Sequence, residues 1–103
     1  MAPLSAIDAV LHPPARLQIA AVLANAQNAD FARLKAIIGA SDSVTSKHLS
    51  ALAEAGYIDL RKASVDGRQR TWASLTRAGR AAFNRHVAAL KAIVDSGTAL
   101  AAE

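Results

Sequence analysis

Between Tyr57 and Leu75 the chain alternates apolar and polar residues on either side of an Asp66-Gly67 pair, and no other segment constrains the fold as strongly. Tyr57-Ile58-Asp59-Leu60-Arg61 and Thr71-Trp72-Ala73-Ser74-Leu75 send successive side chains to opposite faces, as strands do. Asp-Gly suits the positive φ angles of a two-residue hairpin turn. The segment therefore predicts an antiparallel hairpin. A lone hairpin is marginally stable in water, so this one must pack on the rest of the chain, with Tyr57, Leu60, Trp72 and Leu75 as the expected contacts.

The flanking sequence is helical. Leu4, Ile7, Val10 and Leu11 fall on one helical face, and Pro13 ends that segment at His12 because a proline disfavours helical geometry in its predecessor. Pro13 and Pro14 suit the first turn of a second helix, in which Leu17, Ile19, Ala20, Val22, Leu23 and Ala24 are apolar nearly all round and mark it as central. Asn25 to Asn28 form a loop. Asp30 can cap a helix with the stripe Phe31, Leu34, Ile37 and Ile38. After Gly39-Ala40-Ser41, a further helix begins at Asp42 or Ser43, either of which could cap it. It places Val44, Leu49, Leu52 and Ala53 on one side and Thr45, Ser46, Lys47 and Ser50 largely on the other, and ends at Gly56. Two helices joined by a short glycine-containing turn form a helix-turn-helix candidate, a signature shared with plain helical hairpins. Beyond the hairpin, Thr76 caps a closing helix in which Phe83, Val87, Leu90 and Val94 recur at spacings of four, three and four. Those two heptads suit packing within the domain or a dimer seam equally. The alanine-rich residues after Asp95 are expected to fray.

Length allows one small domain of 103 residues. Apolar residues make up 52% of the chain, but only one Trp, one Tyr and two Phe are present, so the core must be built from aliphatic and small side chains. A thin core of that kind leaves apolar surface for oligomerisation. The chain has no cysteine, which excludes disulfides, thiolate zinc sites and cysteine nucleophiles. No run approaches a membrane span, and the first ten residues lack the pattern of a signal peptide, so a soluble cytoplasmic protein without membrane association is expected.

Charge is unevenly placed. The net charge is +4, yet six basic residues (Arg61, Lys62, Arg68, Arg70, Arg77, Arg80) face the single acid Asp66 between positions 61 and 80. The remainder of the chain is slightly acidic. Local positive charge of this kind suits a polyanion, since each neutralised phosphate releases condensed counterions; a solvated loop with helix-end arginines would have the same composition.

Two stretches carry a family likeness: Ser46-Lys47-His48-Leu49-Ser50-Ala51-Leu52-Ala53-Glu54-Ala55-Gly56-Tyr57-Ile58, and Arg70-Thr71-Trp72-Ala73-Ser74-Leu75-Thr76-Arg77-Ala78-Gly79-Arg80. With the earlier His12-Pro13-Pro14-Ala15-Arg16-Leu17, their order resembles the small winged helix-turn-helix transcriptional regulators of the MarR and ArsR type across residues 4 to 94. The resemblance implies a mainly α fold with a small β-hairpin and a long C-terminal dimerisation helix. Its domain would occupy residues 1–95, with closing helix 76–95 and a flexible tail 96–103. It also implies a homodimer on double-stranded DNA, acting as a sequence-specific regulator that represses by occlusion. Ser43, Thr45, Ser46, Lys47 and Ser50 would face the major groove. Arg68 would reach the minor groove or a phosphate, and Arg61, Lys62 and Arg70 would contact phosphates. The dimer would bury Leu4, Ile7, Phe83, Val87, Leu90 and Val94. No arginine on the recognition helix is placed for bidentate guanine reading, so DNA shape and half-site spacing would supply much of the specificity.

Other functions fit less well. His12, His48 and His86 lie on separate elements at no ligand spacing, so no metal and no cofactor are expected. Scattered acids and the absence of a phosphate loop or nucleophile constellation argue against an enzyme. The stronger rival is a winged-helix module that binds protein, which need not concentrate positive charge on its wing. A small-molecule effector is left open.

Overall fold

A computed structural model of the protein describes residues 4–102. Its elements run α1 (Pro14–Ala24), β1 (Ala29–Asp30), α2 (Phe31–Ile38), α3 (Asp42–Glu54), β2 (Ile58–Val65), β3 (Arg68–Leu75) and α4 (Arg77–Ala101), preceded by a single 3-10 turn at Leu4–Ala6. β3 is the middle strand of an antiparallel sheet ordered β1-β3-β2. The architecture is mainly α, with a hairpin and a long closing helix, as the sequence indicates.

The local signals explain most boundaries. Pro14 opens α1, where its missing N–H costs nothing. The Asp30 carboxylate accepts the Arg33 N–H at 2.9 Å and caps α2, and Gly39 ends that helix at φ 65°. Asp66 and Gly67 turn the hairpin with φ of 52° and 76°, both in the left-handed region that a two-residue turn of this hand requires. Thr76 caps α4 by accepting the Gly79 N–H at 2.9 Å.

Several expectations are corrected. The segment from Leu4 to Leu11 is not a helix. After the 3-10 turn, the Asp8 carboxylate accepts the N–H groups of Val10 and Leu11 at 2.9 and 3.2 Å, a local bond that competes with helix formation. α3 is capped by Ser41, whose hydroxyl accepts the Val44 N–H at 3.2 Å, not by Asp42 or Ser43. Strand β1, two residues long, falls where the sequence indicates the end of a loop and a helix cap. Leu60 is exposed, and Ile58 is the residue of β2 that enters the core. Trp72 lies on the opposite face of the hairpin from Ile58, Ala73 and Leu75. Finally, α4 runs on to Ala101, six residues past the expected end at Asp95.

The core is aliphatic, with Leu11, Ile19, Leu23, Leu34 and Leu52 fully buried where α1, α2 and α3 meet the sheet. The first half of α4 joins them through Gly79, Ala82, His86 and Ala89, all on one helical face. No residue of α4 after Ala89 is buried among those described. The helix therefore leaves the body as an arm, and the protein measures 63 × 26 × 21 Å.

Candidate nucleic-acid interface

The turn Gly39–Ser41 sets α3 against α2, and the apolar residues of α3 decide which of its sides is free. Leu49 and Leu52 point into the core. Ser43, Ser46, Lys47, Ser50 and Glu54 are exposed, at spacings that place them along one flank of the helix. This flank borders a shallow depression lined by Arg16, Ser43, Ser46, Lys47, Ser50, Ala51 and Glu54. Four of the five groove residues expected on α3 thus share an open surface. Thr45 does not: it is fully buried, and its neighbour Val44 is exposed instead. The helical phase set by Leu49 and Leu52 is the expected one, but it assigns Thr45, one turn before Leu49, to the core and turns Val44 outward.

Strand register distributes the cations of the wing. Arg61 stands opposite Trp72 and Ala63 opposite Arg70, while Val65 pairs with Arg68, so Arg61, Arg68 and Arg70 lie on one face of the hairpin. Lys62 pairs with Thr71 and lies on the other face. All four basic side chains are exposed. Arg70 is tied down, however: its guanidinium donates to the Asp30 carboxylate at 3.0 Å, and the β1–β3 pairing of Asp30 with Trp72 puts Asp30 within diagonal reach. Asp30 therefore holds the first turn of α2 with one oxygen and the wing with the other. In the basic run, Arg80 is also engaged, donating to the Ala24 carbonyl at the end of α1 at 3.2 Å.

The root of the wing is latched to α4. The Thr76 hydroxyl donates to the Gly56 carbonyl at 2.6 Å, and the Thr76 N–H donates to the Tyr57 carbonyl at 2.9 Å. Gly79 passes so close to Tyr57 that a Cβ would overlap the Tyr57 carbonyl oxygen. The Tyr57 hydroxyl in turn donates to Asp8 at 2.6 Å, and the Asp8 N–H donates to Nδ1 of buried His86 on α4 at 3.0 Å. Burial alone would raise the Asp8 carboxyl. The bonds from Tyr57, Val10 and Leu11, with the nearby His86, outweigh it and hold the group below the ordinary carboxylate value. The bond to Asp8 and then burial raise the Tyr57 phenol. Burial, and secondarily His12, lowers His86 despite the opposing charge of Asp8.

The histidines take structural places. His86 accepts through Nδ1, so in its neutral form the proton sits on Nε2 and that atom offers no lone pair to a metal. His12 meets it edge to face at 5.7 Å. His48 accepts from Arg16 Nε at 3.1 Å, a bond that sequence spacing could not reveal because it joins α1 to α3 across 32 residues.

Of the expected dimer residues, Phe83 packs on the core. Leu4, Val87 and Val94 are exposed, at 74%, 43% and 73%, and Ile7 and Leu90 are half-buried.

A helix-turn-helix with a latched basic hairpin defines the class of winged-helix DNA-binding proteins. The sequence pattern of the family described as winged helix DNA-binding domain matches residues 15–94, and the chain belongs to that family. An uncharacterized protein of Methanocaldococcus jannaschii is 31% identical over 72 residues, which cover 70% of this chain and 78% of that protein. Among solved structures, a transcriptional regulator homologue from Pyrococcus horikoshii superposes with a TM-score of 0.78 at 26% identity, covering 84% of this chain and 86% of that one. The YusO protein of Bacillus subtilis has the same fold, with a TM-score of 0.75 at 22% identity over 84% of this chain and 61% of its own. No helix among the described residues is long and apolar enough to cross a membrane.

Proposed function

We propose that the protein is a homodimeric, cytoplasmic transcriptional regulator of the MarR/ArsR type. It binds double-stranded DNA with α3 in the major groove and the wing on the backbone or minor groove. One observation carries this reading: α3 buries Leu49 and Leu52 while exposing a hydroxyl-rich flank with Lys47, next to a wing whose Arg61, Arg68 and Arg70 share a face. Ser43, Ser46 and Ser50 suit phosphate and modest base-edge contacts; Lys47, Arg61, Lys62 and Arg68 supply charge, and Arg70 does so once released from Asp30. The exposed Val87 and Val94 on the α4 arm suit a two-fold partner, which would set two recognition helices into successive grooves. A bound dimer would repress by covering its site.

The test is selection of bound fragments from sheared genomic DNA, followed by titration of the selected duplex at several salt concentrations. A near-palindromic motif with half-sites about one helical turn (roughly 34–36 Å) apart is expected. Log affinity should fall linearly with log salt, and Arg68→Ala, which removes one contact from each protomer of the dimer, should reduce that slope by about 2. Failure to retain any duplex would overturn the reading in favour of a protein-binding module. Retention without a motif would replace sequence-specific regulation with a non-specific architectural role.

A further inference from the structure

We infer that Arg16, on α1 and outside both the helix-turn-helix and the wing, is a DNA phosphate contact, aimed along α3 by His48. The inference rests on the DNA-binding reading above and extends its surface to a third element. Arg16 is half-buried in the first turn of α1 and borders the same depression as Ser46, Lys47 and Ser50. Its Nε donates to His48 Nδ1 at 3.1 Å, and one terminal nitrogen makes a long contact to the Val10 carbonyl at 3.5 Å. A guanidinium has five N–H donors in a rigid fork, so this arrangement fixes the plane of the group while leaving donors uncommitted.

The choice of partner on α3 matters. A carboxylate at position 48 would orient the arginine equally well but would cancel its charge. Neutral imidazole is an acceptor that leaves the full positive charge in place. Burial, and then Arg16 itself, lowers the basicity of His48, which keeps it in the accepting form at neutral pH. Of the acids on α3, Glu54 stands at the far end, about two turns beyond Lys47, and Asp42 in the first turn is paired with Lys35 at 2.7 Å. Arg16 and Lys47 thus place two cations on the rim of the same depression as the serines, the chemistry that a backbone phosphate requires. Arg16 would position α3 in its groove and carry no base preference of its own.

The experiment compares wild type, Arg16→Gln and Arg16→Lys on the selected duplex across a salt series, with thermal melting of each variant. Gln keeps a donor for His48 but removes the charge; Lys keeps the charge. The salt slope should drop by about 2, one contact per protomer, for Arg16→Gln and return with Arg16→Lys, without a change of preferred motif. An unchanged slope in a folded Arg16→Gln overturns the inference and leaves the DNA-binding reading intact. Should Arg16→Gln fail to fold, arginine-specific dicarbonyl modification of the wild-type protein decides the matter. Arg16 should be protected by duplex while Arg85 on α4 stays reactive, and equal reactivity of Arg16 with and without duplex overturns the inference. A wild-type chain that binds no duplex sinks both readings together.

Discussion

Thr45 shows how one side chain can record a compromise between packing and surface chemistry. Its hydroxyl oxygen is buried with no hydrogen-bond partner among the described residues, in the helix that offers its serines to solvent. A buried, unsatisfied hydroxyl costs about 1–3 kcal/mol. Thr45→Val should therefore raise the melting temperature by several degrees, on the scale of about 4–8 °C per kcal/mol for a domain this size, while leaving DNA affinity unchanged. A lower melting temperature would show that the hydroxyl is satisfied in solution. The histidines make a second residue-scale prediction. His86 and His48 both have folded values depressed below the ordinary imidazole value of about 6.5. The unfolded chain thus binds protons that the native one refuses, so stability is full above about pH 6.5 and is lost as pH falls through the folded values. The Asp8 contribution, also from a depressed value, is lost only lower, as its carboxylate protonates. Ring-proton titration by NMR should find both histidines half-protonated below about 6.5, and a midpoint at or above that value for His86 would contradict its burial as the neutral form.

Among the elements, the wing and α2 share Asp30. Asp30→Asn retains a capping oxygen for Arg33 but removes the ion pair to Arg70, whose side chain is 47% exposed. With the Asp30 side chain only 15% exposed the pair is worth about 1 kcal/mol, so stability should fall by about that amount. Affinity for the selected duplex should rise, because Arg70 is released and a negative charge leaves the basic face. A fall in affinity would mean that Arg70 works in its tethered position. Legibility from sequence follows the reach of each signal. The Asp66-Gly67 turn, the Thr76 and Asp30 caps and the Gly39 stop are local, so the hairpin, α2 and the start of α4 could be read directly. β1 could not, because its two residues become a strand through pairing with β3. The first segment has helical periodicity but yields to a side-chain bond at Asp8. On α3 the apolar pattern marks the helix, but polarity misassigns Val44 and Thr45: spacing from Leu49 and Leu52 puts Thr45 on the core face, and an apolar Val44 beside a polar Thr45 suggests the reverse. Arg16 as a neighbour of α3 escapes the sequence for the same reason: tertiary approach leaves no mark in spacing.

The whole molecule is a small body with a projecting helix, and the projection is where assembly can be tested. Val94 is 73% exposed on the arm, so Val94→Asp costs the isolated fold almost nothing. In a homodimer joined along α4 it would place two like charges in an apolar seam. Sedimentation should show a wild-type dimer and a folded Val94→Asp monomer, with a large loss of affinity for the two-half-site duplex and little change on a single half-site. A monomeric wild type would remove α4 from assembly altogether.

The latch between Tyr57 and Gly79 has a mechanical consequence. With no room for even a methyl group between the wing root and the first turn of α4, the hairpin behaves as a stiff pointer mounted on the helix. Beyond the β1 pairing at Trp72 and Ala73 four residues per strand project from the body, about 13 Å, so a tilt of about 5° at the mount sweeps the tip through roughly 1 Å. That exceeds the distance range over which a hydrogen bond survives. A rotation of the first turn of α4 is therefore carried to the hairpin tip at Arg68, with the free strand length as its lever arm.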